Sequence, residues 1–165
     1  MGMILKQVEE KENYFKDILK IIKKSNQKIC YVTFNKTCEA IKESLKKEKI
    51  PLSKVFIIDC ISGIIKTPKP SECYTFVSEA YDLPVIKKLI KKAIKEDYTY
   101  IIFDALSNMV IYEAAIPAGL NILRDFIKSF QKNLENKKGN AVFICRAKNS
   151  KNLLIRETLS LFKEN

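Results

Sequence analysis

The chain has 165 residues, 30 Lys and Arg against 19 Asp and Glu for a formal charge of +11, 47% apolar residues, and neither His nor Trp. This length and apolar content suit one globular domain, read as residues 1–165, and exclude a disordered, collagen-like or low-complexity chain. Without histidine, Ser-His-Asp and Cys-His nucleophile systems and His-ligated metal centres cannot be assembled from this chain alone.

Strand-like and helical patterns alternate from the start. Met3 to Val8 is a short apolar run, and Tyr14 to Lys24 places Phe15, Ile18, Leu19 and Ile22 on one helical face. Ile29 to Phe34 is apolar or β-branched throughout. Cys38, Ile41 and Leu45 then mark a helix that ends near Lys49, and Pro51 enforces the stop before the run Val55 to Ile58. Ser62 to Ser71 contains Gly63, Pro68 and Pro70 and reads as a loop, followed by a short extra strand at Cys73 to Val77. Asp82 is the expected N-cap of the next helix, with Pro84 in its first turn and an apolar stripe of Val85, Ile86, Leu89, Ile90, Ala93 and Ile94. Its other face carries Lys87, Lys88, Lys91, Lys92 and Lys95, which reads first as a solvated face.

Tyr100 to Phe103 forms the fourth main strand and ends in Asp104; the loop Ala105 to Pro117 leads to the longest helix, with Leu123, Phe126, Ile127, Phe130 and Leu134 as its stripe. Lys137, Lys138 and Gly139 close it, Ala141 to Cys145 is the fifth main strand, and Ser150 caps a last helix through Leu153, Leu154, Thr158 and Leu161. Near-continuous apolar strands separated by helices imply a three-layer, doubly wound α/β domain: a mostly parallel five-stranded sheet with helices on both faces.

Of the basic residues, 27 are Lys and only Arg124, Arg146 and Arg156 are Arg. Beside 23 isoleucines, this reads as a composition bias before it reads as a nucleic-acid surface, because base readout leans on the guanidinium fork. The cysteines, Cys30, Cys38, Cys60, Cys73 and Cys145, form no C-x-x-C pair and are expected as reduced thiols of a cytoplasmic protein. No apolar stretch approaches a membrane span, since Asp59 and Asp104 interrupt the best candidates, and Lys6 stands where a myristoylation signal wants Ser or Thr.

In open α/β sheets ligands bind beyond the carboxyl ends of the strands. The residues there are Glu9 and Glu10, Asn35 and Lys36, Asp59 with Ser62, Asp104 with Ser107 and Asn108, and Arg146 with Lys148. The candidate ligand- or partner-binding set is Asp104, Ser107, Asp59 and Asn35, with no catalytic residue and no metal ligand assigned. An aspartate closing an apolar strand, as in Tyr100-Ile101-Ile102-Phe103-Asp104, is how nucleoside triphosphatases hold the magnesium shell, although such residues also cap helices.

The order of Ile29-Cys30-Tyr31-Val32-Thr33-Phe34, Val55 to Gly63, Tyr74 to Ser78, Tyr100 to Ser107 and Ala141 to Cys145 resembles the archaeal KaiC-like branch of the RecA-type ATPases. The most specific element is Asp104-Ala105-Leu106-Ser107. The resemblance implies a P-loop NTPase fold, a five-stranded central sheet with the first strand beside the fifth, and Asp104 at the Walker B position. It also implies a loss. A phosphate-binding loop needs the pattern G-x-x-x-x-G-K-S/T, whereas this chain has Glu9-Glu10-Lys11-Glu12-Asn13 there. Asn35 and Lys36 stand where active members carry glutamates.

The resulting reading is a degenerate RecA/KaiC-like module with no expected ATP binding and no cofactor. It would act as a regulatory or scaffolding subunit that binds a protein partner or associates with itself, using the loops Ser62 to Ser71 and Ala105 to Pro117. Three other readings stand beside it: a receiver-like phospho-switch built on Asp59, Glu9, Glu10 and Lys148; a nucleic-acid binder using the Lys87 to Lys95 face with Tyr98, Tyr100 and Tyr112; and a hydrolase pairing Asp59 with Asp104.

Overall fold

The computed structural model describes residues 3–8, 13–65, 71, 74–78, 82–108 and 121–146. In chain order these form β1 (Met3–Val8), α1 (Tyr14–Lys24), β2 (Ile29–Thr33), α2 (Cys38–Lys47), β3 (Val55–Asp59), α3 (Ser62–Ile65), β4 (Tyr74–Phe76), α4 (Leu83–Lys95), β5 (Tyr100–Asp104), α5 (Asn121–Asn136) and β6 (Asn140–Arg146). A short 3-10 turn at Leu52–Lys54 bridges Pro51 and β3.

The strands pair in the order β1-β6-β5-β2-β3-β4, and all five pairings are parallel. The five long strands are those the apolar runs predict, and the short extra strand, narrowed to Tyr74–Phe76, adds a sixth at one edge. The first strand lies beside the last long strand, with Met3 in register with Ala141 and Val8 with Arg146. The chain leaves β2 outward to β3 and β4, then returns to the other side of β2 with β5 and β6. The strand order therefore switches direction between β2 and β5, the position at which open α/β sheets bind ligands.

Alternate residues of each strand feed two separate cores, as a sheet covered on both faces requires. On one face Cys30, Val32, Ile58, Ile101, Phe103 and Phe143 pack beneath α4 and α5. On the other, Ile29, Tyr31, Ile57, Ile102 and Ile144 pack beneath α1 and α2. The three layers are thus helix, sheet, helix.

Two features differ from the sequence pattern. Val85 is 38% exposed, and the buried stripe of α4 is Leu83, Ile86, Ile90, Ala93 and Ile94. The helix starts at Leu83, with the Asp82 carboxylate accepting the Val85 N–H at 3.1 Å, and the 3.6-residue period counted from Leu83 turns Val85 outward. The segment expected as a loop from Ser62 opens as the single helical turn α3, because the Asp59 carboxylate accepts the N–H groups of Ile61 and Ser62, both at 2.8 Å. Gly63 is required there: a Cβ would sit 2.3 Å from the Val77 carbonyl oxygen. The expected last helix, Cys73, Tyr112 and most of the loop Ala105 to Pro117 lie outside the described residues.

Candidate functional site

Strand register sets the site. Thr33 is paired with Asp59 on one side and with Asp104 on the other, so the last residues of β3, β2 and β5 form one row. Residues in register share a face, and this row lies on the face covered by α1 and α2. All three side chains are buried. With strands about 4.8 Å apart, the backbones of Asp59 and Asp104 are separated by roughly 10 Å.

Thr33 shapes the turn that follows it. Its hydroxyl accepts the N–H groups of Asn35 at 3.3 Å and Lys36 at 2.9 Å and donates to the Lys36 carbonyl at 2.8 Å. The Lys36 ammonium rests 4.8 Å from the centre of the Phe15 ring, at the start of α1.

Asp59 is a junction between helices. One carboxylate oxygen accepts the Ile61 and Ser62 N–H groups, and the other accepts the Cys38 N–H at 2.6 Å and the Ser62 hydroxyl at 2.7 Å. Cys38 opens α2, so the negative charge sits at that helix's N-terminus, where the helix dipole favours it. Four donors on two oxygens leave no position for an incoming phosphoryl group without breaking the start of α2 or α3.

Asp104 is held by two tyrosines. Tyr31, two residues before Thr33 on the same face, donates its hydroxyl to Oδ2 at 2.5 Å, and Tyr14, the first residue of α1, donates to Oδ1 at 3.0 Å. The Tyr14 hydroxyl in turn accepts the side-chain amide of Asn35. The Asn108 amide donates to the Phe34 carbonyl at 2.9 Å and lies 3.5 Å from Asn35 Oδ1, tying the turn after β5 to the turn after β2. Burial, then the neighbouring Asp104 charge, raises the Tyr31 hydroxyl well above the usual phenol pKa. It is a fixed hydrogen-bond donor near neutral pH.

Of the four sequence candidates, Asp104 and Asn35 meet through Tyr14, and Ser107 is buried in the turn immediately after them. Asp59 belongs to the neighbouring junction. Tyr14 and Tyr31 were not among the candidates; the available signal was a tyrosine inside each of two apolar patterns, whose buried hydroxyl must find a partner. No buried side-chain nitrogen or oxygen among the described residues lacks one.

The same geometry does not assemble the other candidate machineries. Three strands stand between β1 and β3, whereas a receiver site would need the end of its first strand beside Asp59; Glu9, Glu10 and Lys148 themselves lie outside the described residues. Asp59 and Asp104 flank β2 and each carboxylate is bound to its own set of donors, which is not how paired catalytic carboxylates are held. Three thiols are not activated nucleophiles: burial raises Cys30 and Cys60 above the usual thiol range and pushes Cys145 up to about 11. Among the described residues no three Cys, Asp or Glu side chains are grouped to hold a metal ion, and no helix is long and apolar enough to cross a membrane.

No protein-family profile matches the chain, and no curated protein matches it in sequence. Solved structures do match. A KaiC-like protein from the hyperthermophilic archaeon Pyrococcus horikoshii superposes with a TM-score of 0.60 at 11% identity, over 95% of this chain and 68% of that one. The RadB recombinase superposes with a TM-score of 0.56 at 14% identity, over 93% of this chain and 70% of that one. The fold is the RecA/KaiC-like α/β fold.

Proposed function

We propose that this chain is a RecA/KaiC-like module whose nucleotide site is closed and whose work is binding: a regulatory or scaffolding subunit for a protein partner. The observation that carries this reading is the direct bond between Tyr14 and Asp104. In P-loop enzymes, a Ser or Thr opening the helix after the first strand and an aspartate ending a later strand together hold magnesium. Here the helix after the first strand opens with Tyr14, and its hydroxyl spends itself on the aspartate. Tyr31 takes the other oxygen. A hydrated magnesium ion would have to displace both tyrosines from a buried carboxylate, and the segment Glu9-Glu10-Lys11-Glu12-Asn13 offers a triphosphate three negative charges and no glycine. These residues are a poor fit to a magnesium nucleotide.

The nucleic-acid reading is weaker. The Tyr98 ring packs on Phe56 at 5.6 Å with the Lys28 ammonium 5.1 Å above it, and Tyr100 is half-buried against the second core, so neither ring is free to stack on a base. The closed-site reading is tested by titrating the protein with a fluorescent ATP analogue and magnesium. Absence of saturable binding up to millimolar concentration is expected; saturable binding in the micromolar range overturns it.

A further inference from the structure

The lysines of α4 do not face open solvent as a flat surface. With α5 they wall a groove of about 760 Å³, lined by Leu83, Pro84, Leu89 and Phe126 and by Lys87, Lys88, Lys91, Lys92 and Lys95. Asp125 is the one carboxylate among the described lining residues. Lysine stems are themselves apolar, so the groove has an aliphatic interior under a ring of ammonium groups. Among the described residues only Lys92 of the five has a carboxylate partner, Glu96 at 4.0 Å, and both members of that pair are well exposed. Three like-charged pairs at i, i+4 spacing, Lys87 with Lys91, Lys88 with Lys92 and Lys91 with Lys95, each disfavour the helix. An opposite charge laid across them would relieve that strain.

We propose that this groove docks an acidic amphipathic helix of a partner protein. The inference rests on the binding-module reading and names the surface and the partner's chemistry. Carboxylates recurring at i, i+4 along the partner would match the lysine ladder, which runs about 12 Å along α4, and large aliphatic side chains would enter between α4 and α5. Charge complementarity selects this occupant. The chain's own residues 147–165 carry four basic side chains, Lys148, Lys151, Arg156 and Lys163, against Glu157 and Glu164, so they would be repelled. A nucleic acid would satisfy the ammonium groups but find no exposed ring among the described lining residues, since Phe126 is only 4% exposed.

The test uses the full chain and three labelled probes at physiological salt, read by fluorescence anisotropy: a synthetic Leu/Glu peptide of about five helical turns with leucines at amphipathic spacing, the same composition scrambled to break that spacing, and single-stranded oligouridylate. The amphipathic peptide is expected to bind at least about tenfold more tightly than either of the others, and Lys88→Glu/Lys92→Glu/Lys95→Glu is expected to weaken it about tenfold or more. The milder Lys88→Gln/Lys92→Gln/Lys95→Gln variant, whose fold is checked by circular dichroism, should weaken it in the same direction. Equal binding of the scrambled peptide or of oligouridylate, no binding of the amphipathic peptide, or indifference to both variants overturns the proposal. None of these probes reports on Asp104, so the nucleotide titration fails or succeeds independently of them.

Discussion

The Tyr14 hydroxyl donates to Asp104 Oδ1 at 3.0 Å across 90 positions of sequence, joining the first turn of α1 to the end of β5. Asp59 does the corresponding work for α2 through the Cys38 N–H. Both strand-end aspartates therefore anchor helix starts on the same face of the sheet. A carboxylate used in this way is a structural part, and its removal should show in stability.

Tyr31→Phe removes a buried hydrogen bond to a charged group and leaves the ring in place. The expected loss is about 1.5–3 kcal/mol, which lowers the midpoint of thermal unfolding by roughly 3–12 °C for a domain of this size. Tyr14→Phe, at a partly buried site, should cost less than Tyr31→Phe. Equal stability of Tyr31→Phe and the parent would mean that the bond is not formed in solution.

Asp59→Ala strips the acceptor from four donors at once and should cost about 3–5 kcal/mol in urea unfolding. Asp59→Asn keeps one acceptor oxygen and should fall between. A phospho-acceptor aspartate with a free carboxylate would tolerate the Asn change with little loss, which is the contrary outcome.

Gly63→Ala pushes a methyl group toward the Val77 carbonyl oxygen, 2.3 Å from an ideal Cβ, and that oxygen is backbone and cannot swing aside as a side chain would. A destabilisation of about 1–3 kcal/mol is expected, by the same urea measurement. A neutral result would show that the turn after Asp59 is free to shift.

Stability should decline in alkali. Cys30, Cys60, Cys145 and Tyr31 all have native pKa values raised by burial, so the unfolded chain loses these protons first, from about pH 8.5 for thiols and about pH 10 for tyrosine. The stabilisation is fully present below those values and is lost as pH rises through the raised native ones, by up to about 1.4 kcal/mol per pH unit for each group. Urea midpoints should fall between pH 8 and pH 10.5, and Tyr31→Phe should flatten the part above pH 10. A midpoint that holds constant over this span would contradict the buried placement of these groups.

The layers of the fold were legible because each rests on a local pattern. Strands buried on both faces read as unbroken apolar runs such as Val55 to Ile58, and helices read as stripes such as Ile18, Leu19 and Ile22. Asp82 with Pro84 announced the start of α4. The carboxyl edge was legible as a place, and the resemblance to KaiC-like proteins led to the first strand lying beside the last long one. What each candidate does there was not legible. Tyr14, Tyr31 and Asp104 are brought together only by the strand order, and nothing local to Asp59 distinguishes a carboxylate with four donors from an open one. The groove beside α4 escaped for a similar reason: the lysine face is visible in the helical period, but the wall supplied by α5 is tertiary.

Thermal unfolding of the full chain with and without saturating Mg-ATP, against magnesium tripolyphosphate as a charge control, tests the closed site most directly. A nucleotide at about 100 times its dissociation constant adds roughly 2.7 kcal/mol, a rise of about 5–10 °C for a domain of this size. The Tyr14–Asp104 closure predicts no rise beyond that given by tripolyphosphate. A rise with Mg-ATP that the control does not reproduce would mean that a nucleotide still binds, and would contradict the account.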